Sequence, residues 1–419
     1  MEELVYDIEA DNLIPGLTKI WCIGVCSPTK PDEVTTYTDY DDRHPSLQEG
    51  LLRLKNAKRL IGHNNVGYDC PAIEKLYPGY VRFEQQWDNM VVAALLNPSR
   101  RSLALATFGK EFGFEKGDFH DFSAYSEDMR IYMVRDVALT ARVYIDLQDK
   151  LKKAYATGVD FRKAIELEHH VQLCLSLQNQ HGFKFDVKNA ELLSAKLSQQ
   201  VSDLETQLAQ VFTPMIRPKN ARWCYKARTW VSPEIFRPKV NNRTAGYVKD
   251  ADVVRAKVES FNPGSREQVA MRLNHLYGWK PSAYTEDGRP KVDESVLKEL
   301  EYPEAKLLVS FYKTNKQLAQ LCEGKTAWLK LHEKGRMHGY VRSCGARTHR
   351  MSHSRPNMAQ CDKSKSMRSL WIPDDGHVLV GVDANALELV MLSCYLYPWD
   401  KGAYAKAVLT GRKEDGNDA

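Results

Sequence analysis

The stretch LVYDIEA, residues 4–10, decides the fold of the first part of the chain. Its apolar residues predict a buried β-strand, and the period-two alternation of a strand places Asp7 and Glu9 on the same face. Two neighbouring carboxylates repel each other unless a cation lies between them. Such hard oxygen ligands suit Mg²⁺ or Mn²⁺. A solvated strand edge explains this pair equally well.

Strands and helices alternate from this stretch up to about residue 155. KIWCIGVCS at 19–27 and RLIGHN at 59–64 are predicted strands, and helical spacing marks residues 87–96 and 130–151. This alternation predicts an α/β domain. Because the chain has 419 residues, we expect at least one further domain.

Two more groups of polar residues accompany these elements. Asn64 and Asp69 lie in GHNNVGYDCPAI, after the strand predicted at 59–64, where a helix N-cap is the simple explanation. Tyr132 and Asp136 are four residues apart in a predicted helix and therefore share one helical face. A tyrosine on such a face is usually part of the core.

Taken in order, these groups resemble the three exonuclease motifs of the proofreading 3′→5′ exonucleases, which use four acidic residues and a tyrosine. The resemblance implies a ribonuclease H-like fold. It also implies that Asp7, Glu9 and Asp136 hold one metal ion, and that Asp7 also reaches a second ion, which Asp69 holds through water. Tyr132 would orient the attacking water.

The same resemblance implies two Mg²⁺ or Mn²⁺ ions per site and the single-stranded 3′ end of DNA as substrate, released as nucleoside monophosphates. The metal would make a nucleophile of its bound water, and the second metal would stabilise the leaving oxygen. Asn64 is expected to contact the DNA. For Asp88, in WDNMVV, we expect a structural role.

The rest of the chain is predicted to be mainly helical and then strand-rich. Helices are expected from about Phe161 to a break at His181-Gly182. Further helices are predicted at 190–212, 265–278, 303–322 and 390–399, and further strands at 337–343 and 377–389.

Three stretches resemble family A DNA polymerases, the group of bacterial DNA polymerase I and of small tailed phage replicases. They are QHGFKFD at 180–186, GARTHRMSHSRPNMAQ at 345–360 and GVDANALEL at 381–389. The resemblance implies an α/β ribonuclease H-like exonuclease domain followed by a mainly helical thumb and a partial α+β palm. The expected bounds are 1–155 for the exonuclease domain, 156–335 for the thumb with a basic insertion at 213–260, and 336–419 for the palm.

The last two stretches also imply roles for individual residues. Asp383 would end a buried strand and bind the metals of nucleotide transfer, and Glu388 would exclude a ribose 2′-hydroxyl. Arg350 and Asn357 would contact the primer–template. A surface ion pair remains the alternative for Glu388 and Arg350. Val390 stands where the family usually has arginine, so the role of that arginine is in doubt.

The family's fingers helix and its His-Asp-Glu turn do not occur in this sequence. We therefore expect that the polypeptide does not polymerise DNA by itself and that a second polypeptide supplies the fingers and the remaining palm. An exposed strand edge in the partial palm would favour self-association. The alternatives are a free-standing 3′→5′ exonuclease with a vestigial polymerase region and a non-catalytic DNA-binding replisome subunit.

Residues 213–250 combine cations with aromatic side chains, a pattern typical of nucleic-acid contacts. Arg222, Lys226 and Arg228 are the candidates to contact DNA. This insertion is also a candidate docking site for a processivity factor, and a solvated basic loop remains the alternative.

The composition restricts the possible functions and locations of the chain only weakly. The net charge of +5 permits a polyanionic partner. Nine scattered cysteines without a CxxC pair predict free thiols and a reducing compartment, the cytoplasm, which is the host cytoplasm if a phage encodes the chain. No signal peptide or membrane span is expected. GKT at 324–326 lacks the first glycine of a phosphate-binding loop, and His349 and His353 lack the HExxH pattern.

Overall fold

The structure is a computed structural model that describes residues 2–14 and 16–410. It divides into two compact units, of which the first ends at Trp371 and the second begins at Ile372. The expected division at 155 and at 335 stays a prediction. Among the described residues, no helix combines the length and the apolar character that crossing a bilayer requires.

The first part of the first unit is an α/β fold around a five-stranded sheet. The strands have the spatial order β3-β2-β1-β4-β5. β1 pairs antiparallel with β2 and parallel with β4, and β4 pairs parallel with β5. The strands are β1 Glu3–Ala10, β2 Ile20–Cys26, β3 Thr35–Tyr37, β4 Arg59–Gly62 and β5 Gln86–Asp88. The helices are α1 Leu47–Asn56, α2 Asp69–Leu76, α3 Asn89–Leu96, α4 Leu105–Phe112 and α5 Glu127–Ala156.

The strands predicted at 4–10, 19–27 and 59–64 are confirmed as β1, β2 and β4, and the helices predicted at 87–96 and 130–151 as α3 and α5. β1 is central in the sheet, which explains its buried apolar run. α5 begins where the Ser126 hydroxyl accepts a hydrogen bond from the Met129 amide at 3.1 Å. Its buried side chains pack on the sheet.

Helices dominate the middle of the first unit, as predicted. α6 ends at Gly182, whose φ of 64° suits glycine and whose close neighbour is the Met337 carbonyl. α7 and α10 share an apolar core with α8 and α9. The helices are α6 Arg162–His181, α7 Val187–Val211, α8 Arg266–Tyr277, α9 Glu294–Lys298, α10 Pro303–Leu318, α11 Trp328–Leu331 and α12 Lys365–Arg368.

Short two-stranded sheets fill the basic insertion and the end of the first unit. The pairs are β12 with β7, β8 with β9, β10 with β11, β13 with β6 and β14 with β15. Their bounds are β6 Phe183–Lys184, β7 Met215–Pro218, β8 Arg222–Cys224, β9 Thr229–Val231, β10 Ile235–Phe236, β11 Val253–Val254, β12 Ala256–Glu259, β13 Arg336–Met337, β14 Tyr340–Arg342 and β15 Ser352–Ser354. The strand predicted at 337–343 therefore corresponds to β14 and the end of β13.

The described part of the second unit contains two helices, α13 Leu387–Asp400 and α14 Ala403–Thr410. The helix predicted at 390–399 is confirmed, but the strand predicted at 377–389 is wrong. Residues 377–384 form neither strand nor helix. A strand needs a hydrogen-bonding partner, and none of the described residues pairs with this segment. The end of the predicted palm, 411–419, lies outside the described residues.

All nine cysteines are free thiols, as predicted. Burial raises the pKa of Cys26 and of Cys70 to about 12. These thiols therefore stay protonated and unreactive at neutral pH.

Candidate active site

The central strand β1 carries the first two acidic residues. In the antiparallel register with β2, Asp7 lies opposite Gly24 and Glu9 opposite Cys22. Glu9 is 6% exposed although it is ionisable. A carboxylate is rarely buried to this extent unless a cation or several hydrogen bonds compensate for its lost hydration.

α5 brings Tyr132 and Asp136 to the same face of the sheet. The close approach depends on Gly24 of β2, because a Cβ atom there would clash with the Met133 sulfur and would lie 2.8 Å from Val137 Cγ2. Both of these side chains belong to α5. Gly24 was not among the residues predicted for the site, although it determines how closely the helix approaches the sheet.

The acidic residues converge as the sequence pattern predicts. Asp7, Glu9 and Asp136 each offer a carboxylate oxygen, and these oxygens lie within 4.8 Å of one another. Asp69, at the start of α2, accepts a hydrogen bond from the Ile8 amide at 3.3 Å. Asp69 is also close enough to raise the pKa of Asp7. The structure thus places all four carboxylates together at one site.

Burial and mutual repulsion favour the protonated form of these carboxyl groups. Burial first, and then the charge of Asp136, raises the pKa of Glu9 to about 8. Burial raises the pKa of Asp69 to about 7. For Asp7, burial is again the largest cause and the carboxylates of Asp69 and Glu9 add to it. A divalent cation would relieve this repulsion.

The donor set fits such a cation. Asp136 Oδ1 is buried and has no hydrogen-bond partner among the described residues, although Asp136 is only 4% exposed. An orphaned carboxylate oxygen is costly in a folded protein unless it has a ligand. Oxygen-only ligands of this kind match Mg²⁺ and Mn²⁺.

Lys116 belongs to this site and is absent from every motif considered above. Its Nζ lies 2.6 Å from Asp136 Oδ2 and 4.8 Å from the centroid of the Tyr132 ring. Burial acts to lower the pKa of Lys116, but Asp136 outweighs burial and the net shift is upward. Lys116 therefore carries its positive charge next to the carboxylates.

The turn after β4 is held by Asp88, in agreement with its predicted structural role. Asp88 is fully buried and accepts hydrogen bonds from the amides of Asn64 at 2.9 Å and Met90 at 2.9 Å. Asn64 has a φ of 70° and is not a helix N-cap, since the N-cap of α2 is Tyr68. Its predicted contact with DNA stays a prediction.

The stability of the folded chain should depend on pH because the pKa values of these carboxyl groups are raised. Because the folded pKa of Glu9 is raised from 4.5 to about 8, folding favours its protonated form. The resulting stabilisation is complete below the unfolded pKa and is lost as the pH rises through the folded pKa. We expect the melting temperature in EDTA to fall between about pH 4.5 and about pH 8, and the increase produced by Mg²⁺ to grow over the same interval. Thermal denaturation with and without Mg²⁺ measures both. An Mg²⁺ effect independent of pH would contradict the assignment.

The residues predicted for a polymerase site lie elsewhere in the chain. Arg350 is exposed in the loop between β14 and β15, and Asn357 precedes a 3₁₀ turn with its Oδ1 buried. Asp383 and Glu388 belong to the second unit. Asp383 was predicted to end a buried strand, but it is exposed in a segment without a strand, because no described strand pairs there. Glu388 lies in the first turn of α13.

The three predicted DNA contacts of the insertion have different surroundings. Arg228 donates hydrogen bonds to the carbonyls of His275 and Leu276, so it caps the end of α8. The side chains of Arg222 and Lys226 are exposed and make no hydrogen bond or ion pair within the described part of the chain. Arg228 therefore has a structural role in this fold, and the DNA contacts of all three residues stay predictions.

A second basic feature was not predicted as a separate surface. A groove of about 450 Å³ runs along β7 and β12, and we call it the basic groove. Arg217 and Lys257 face each other in the strand register, and both pair with Glu259, at 3.2 and 3.3 Å. Directly opposed like charges are unfavourable. The cations that line the basic groove are Arg217, Lys219, Arg255 and Lys257.

Two family profiles match the chain in separate regions. The RNase_H superfamily matches residues 4–133, which include β1 and the start of α5. DNA polymerase family A matches residues 236–395.

Related proteins match nearly the whole chain. The DNA-directed DNA polymerases of Enterobacteria phage T3 and of Escherichia phage T7 are each 27% identical to the chain, over 97% of this chain and 71% of theirs. The POL domain of Pol1 from M. smegmatis, solved in complex with DNA primer-template and dNTP, has a TM-score of 0.59 at 13% identity. That match covers 90% of this chain and 55% of the other, so the chain spans only about half of that structure. The chain is thus similar to DNA polymerase family A in a region that follows a region similar to the RNase_H superfamily, and it is similar to two phage DNA polymerases over nearly its whole length.

Proposed function

We propose that the chain is the N-terminal part of a phage replicative DNA polymerase and that its first domain is a proofreading 3′→5′ exonuclease. The observation that supports this most directly is the convergence of Asp7, Glu9, Asp69 and Asp136 beside Tyr132. The substrate is the single-stranded 3′ end of DNA, in the cytoplasm of the host.

The mechanism we propose assigns a role to each of these groups. Glu9 and Asp136 would hold one Mg²⁺ or Mn²⁺ ion together with Asp7, and Asp7 would also reach a second ion, which Asp69 would hold through water. When bound, the two ions would lower the pKa of the attacking water and stabilise the leaving 3′-oxygen. Tyr132 orients that water through its hydroxyl. The burial of the carboxylates strengthens every electrostatic interaction in the site.

A 5′-labelled single-stranded oligonucleotide tests the nuclease function. We expect Mg²⁺ to produce a ladder of products shortened one nucleotide at a time from the 3′ end, and EDTA to abolish it. An exonuclease that attacks the 5′ end would instead release the label in its first products, so the ladder identifies the end that is attacked. DNA binding without any shortening would leave the non-catalytic replisome subunit as the better account.

The basic groove is the surface that we propose for the phosphate backbone of DNA. Arg255 stacks on Phe236, with its guanidinium 3.8 Å from the ring centroid, and the other three cations share the carboxylates of Glu234 and Glu259. Among the described residues, the four cations that line the groove have only these two carboxylates as partners, so a polyanion can neutralise the remaining positive charge. Arg222 and Lys226 would extend this surface.

Replacing Lys257 with alanine tests this surface. We expect DNA affinity to fall for every sequence alike and the slope of log affinity against log salt to decrease by about one. Fluorescence anisotropy with labelled DNA at several salt concentrations measures the slope. Lys298→Ala is the matched control, because Lys298 is also an exposed lysine paired with one glutamate. Equal slopes for the two variants would contradict the assignment.

For the polymerase half we propose that a polypeptide carrying the fingers and the remaining palm completes the site around Asp383. The exposed apolar segment 378–382 supports this, since Val378, Val380 and Val382 are 79, 80 and 92% exposed. Partner strands would bury such side chains. Adding that polypeptide should slow amide hydrogen exchange at 377–384, and unchanged exchange would contradict the proposal.

We also propose that residues 213–250 bind a processivity factor.

A further inference from the structure

Lys116 lies in the loop between α4 and α5, in a stretch with no helix or strand from 114 to 122. The loop is attached to α5 at several points. Arg135 donates a hydrogen bond to the Glu115 carbonyl, and Phe119 packs on Tyr132 with ring centroids 5.8 Å apart. Lys116 is therefore directed at the carboxylates by contacts on both sides of it.

The position of Lys116 is unusual for a lysine. Its side chain is 26% exposed, and Asp136, its partner, is almost fully buried. An ammonium group this far from water needs a strong partner, and charge-assisted hydrogen bonds at 2.6 Å are such partners. The other neighbour of the ammonium is the face of the Tyr132 ring, which attracts cations.

The charge of Lys116 affects other carboxyl groups of the site besides Asp136. It lowers the pKa of Asp7, of Glu9 and of Asp136, opposing the effects of burial. It is therefore a counter-ion for the carboxylate cluster as a whole.

A divalent cation at Asp136 would meet this ammonium at close range. Two positive charges a few ångströms apart in a poorly hydrated site repel each other strongly. Asp136 has one carboxylate oxygen occupied by Lys116 and one without a partner. A cation bound to the free oxygen would therefore share this carboxylate with the ammonium and repel it, so that binding of one weakens binding of the other.

We propose that Lys116 is a positioning residue that acts as an exchangeable counter-ion: it holds Asp136 and Tyr132 in place before metal binding and yields Asp136 to the metal. The inference rests on the proposed exonuclease function, because it requires that the carboxylates bind a divalent cation. It adds that this lysine limits the affinity for that cation.

Isothermal titration of the full chain with Mn²⁺ tests the inference. Lys116→Gln keeps a hydrogen-bond donor but removes the charge, and we expect Mn²⁺ to bind about threefold to tenfold more tightly. Lys116→Arg keeps the charge and should bind Mn²⁺ as the unmodified chain does. Lys110→Gln, at an exposed lysine of α4, controls for the loss of one positive charge. Unchanged or weaker Mn²⁺ binding by K116Q would overturn the inference.

Thermal denaturation supplies a second readout. In EDTA at neutral pH, K116Q should melt below the unmodified chain, because the carboxylates lose their counter-ion, and Mn²⁺ should raise its melting temperature by more. If K116Q folds only in Mn²⁺, the inference is supported. If it fails to fold in both conditions, Lys116 is merely structural and the inference is wrong.

The two proposals fail in different ways. If the unmodified chain binds no more Mn²⁺ than Asp7→Ala does, the proposed exonuclease site is wrong whatever Lys116 does. If the unmodified chain binds Mn²⁺ through Asp7 and K116Q binds it with the same affinity, only the proposed role of Lys116 is contradicted.

Discussion

Replacing Asp7 with alanine should lower the rate of 3′→5′ degradation by about 10³-fold or more, equivalent to about 4 kcal/mol of transition-state stabilisation. The physical reason is that Asp7 is the carboxylate proposed to bind both ions, and it is close enough to Asp69, Glu9 and Asp136 for each of them to raise its pKa. The rate of shortening of a 5′-labelled oligonucleotide in Mg²⁺ measures the loss.

The same variant should be more stable than the unmodified chain when metal is absent. Asp7 is buried beside other carboxylates, so its removal relieves repulsion. A higher melting temperature in EDTA combined with lost activity excludes unfolding as the cause.

Asp41→Ala is the matched control for Asp7→Ala. Asp41 belongs to a second acidic group with His44 and Glu127, but Arg43 already pairs with it at 2.6 Å. We expect this variant to keep full nuclease activity. Equal losses in the two variants, or none in Asp7→Ala, would contradict the assignment.

Replacing Gly24 with valine should damage both stability and activity. The added side chain would meet Met133 and Val137, so α5 must move away from the sheet. Overpacking of this kind costs about 1–3 kcal/mol. Because α5 carries Tyr132 and Asp136, a displacement of about 1 Å should lower the exonuclease rate by about 10²-fold. Chemical denaturation and the oligonucleotide assay measure the two effects.

Gly381→Val provides the comparison for Gly24→Val. An added Cβ at Gly381 meets no atom of the described residues within 4 Å. Both substitutions restrict the unfolded chain in the same way, so the difference between them reports the native packing. A Gly24→Val variant that remains as stable and as active as Gly381→Val would show that α5 does not depend on this contact.

The elements with a clear period could be predicted from the sequence. β1, β2 and α5 have apolar spacing that only one type of element satisfies, and the helices α7, α8 and α10 are equally regular. The short pairs in the basic insertion could not be predicted, because strands of two to four residues depend on partners that are distant in sequence. The strand predicted at 377–389 was wrong for a related reason. The valines at 378–382 favour a strand only where a neighbouring strand can pair with them.

The acidic residues of the site could be predicted because their spacing is a property of the sequence. Gly24 could not, since only the packed helix shows what an added side chain would meet. Lys116 could not either, because a lysine in an aperiodic loop is usually solvated. A lysine or a glycine with a special role leaves no pattern when its partners are far away in the chain.

The central claim is that Asp7, Glu9, Asp69 and Asp136 bind divalent cations beside Tyr132. The most direct measurement is the anomalous scattering of crystals grown with Mn²⁺. We predict two anomalous peaks, one at about 2.0–2.3 Å from oxygens of Asp7, Glu9 and Asp136 and a second at that distance from an oxygen of Asp7, with Asp69 close enough to bind the second ion through water. Mn²⁺ bound elsewhere, with these four carboxylates lacking an ion, would contradict the account.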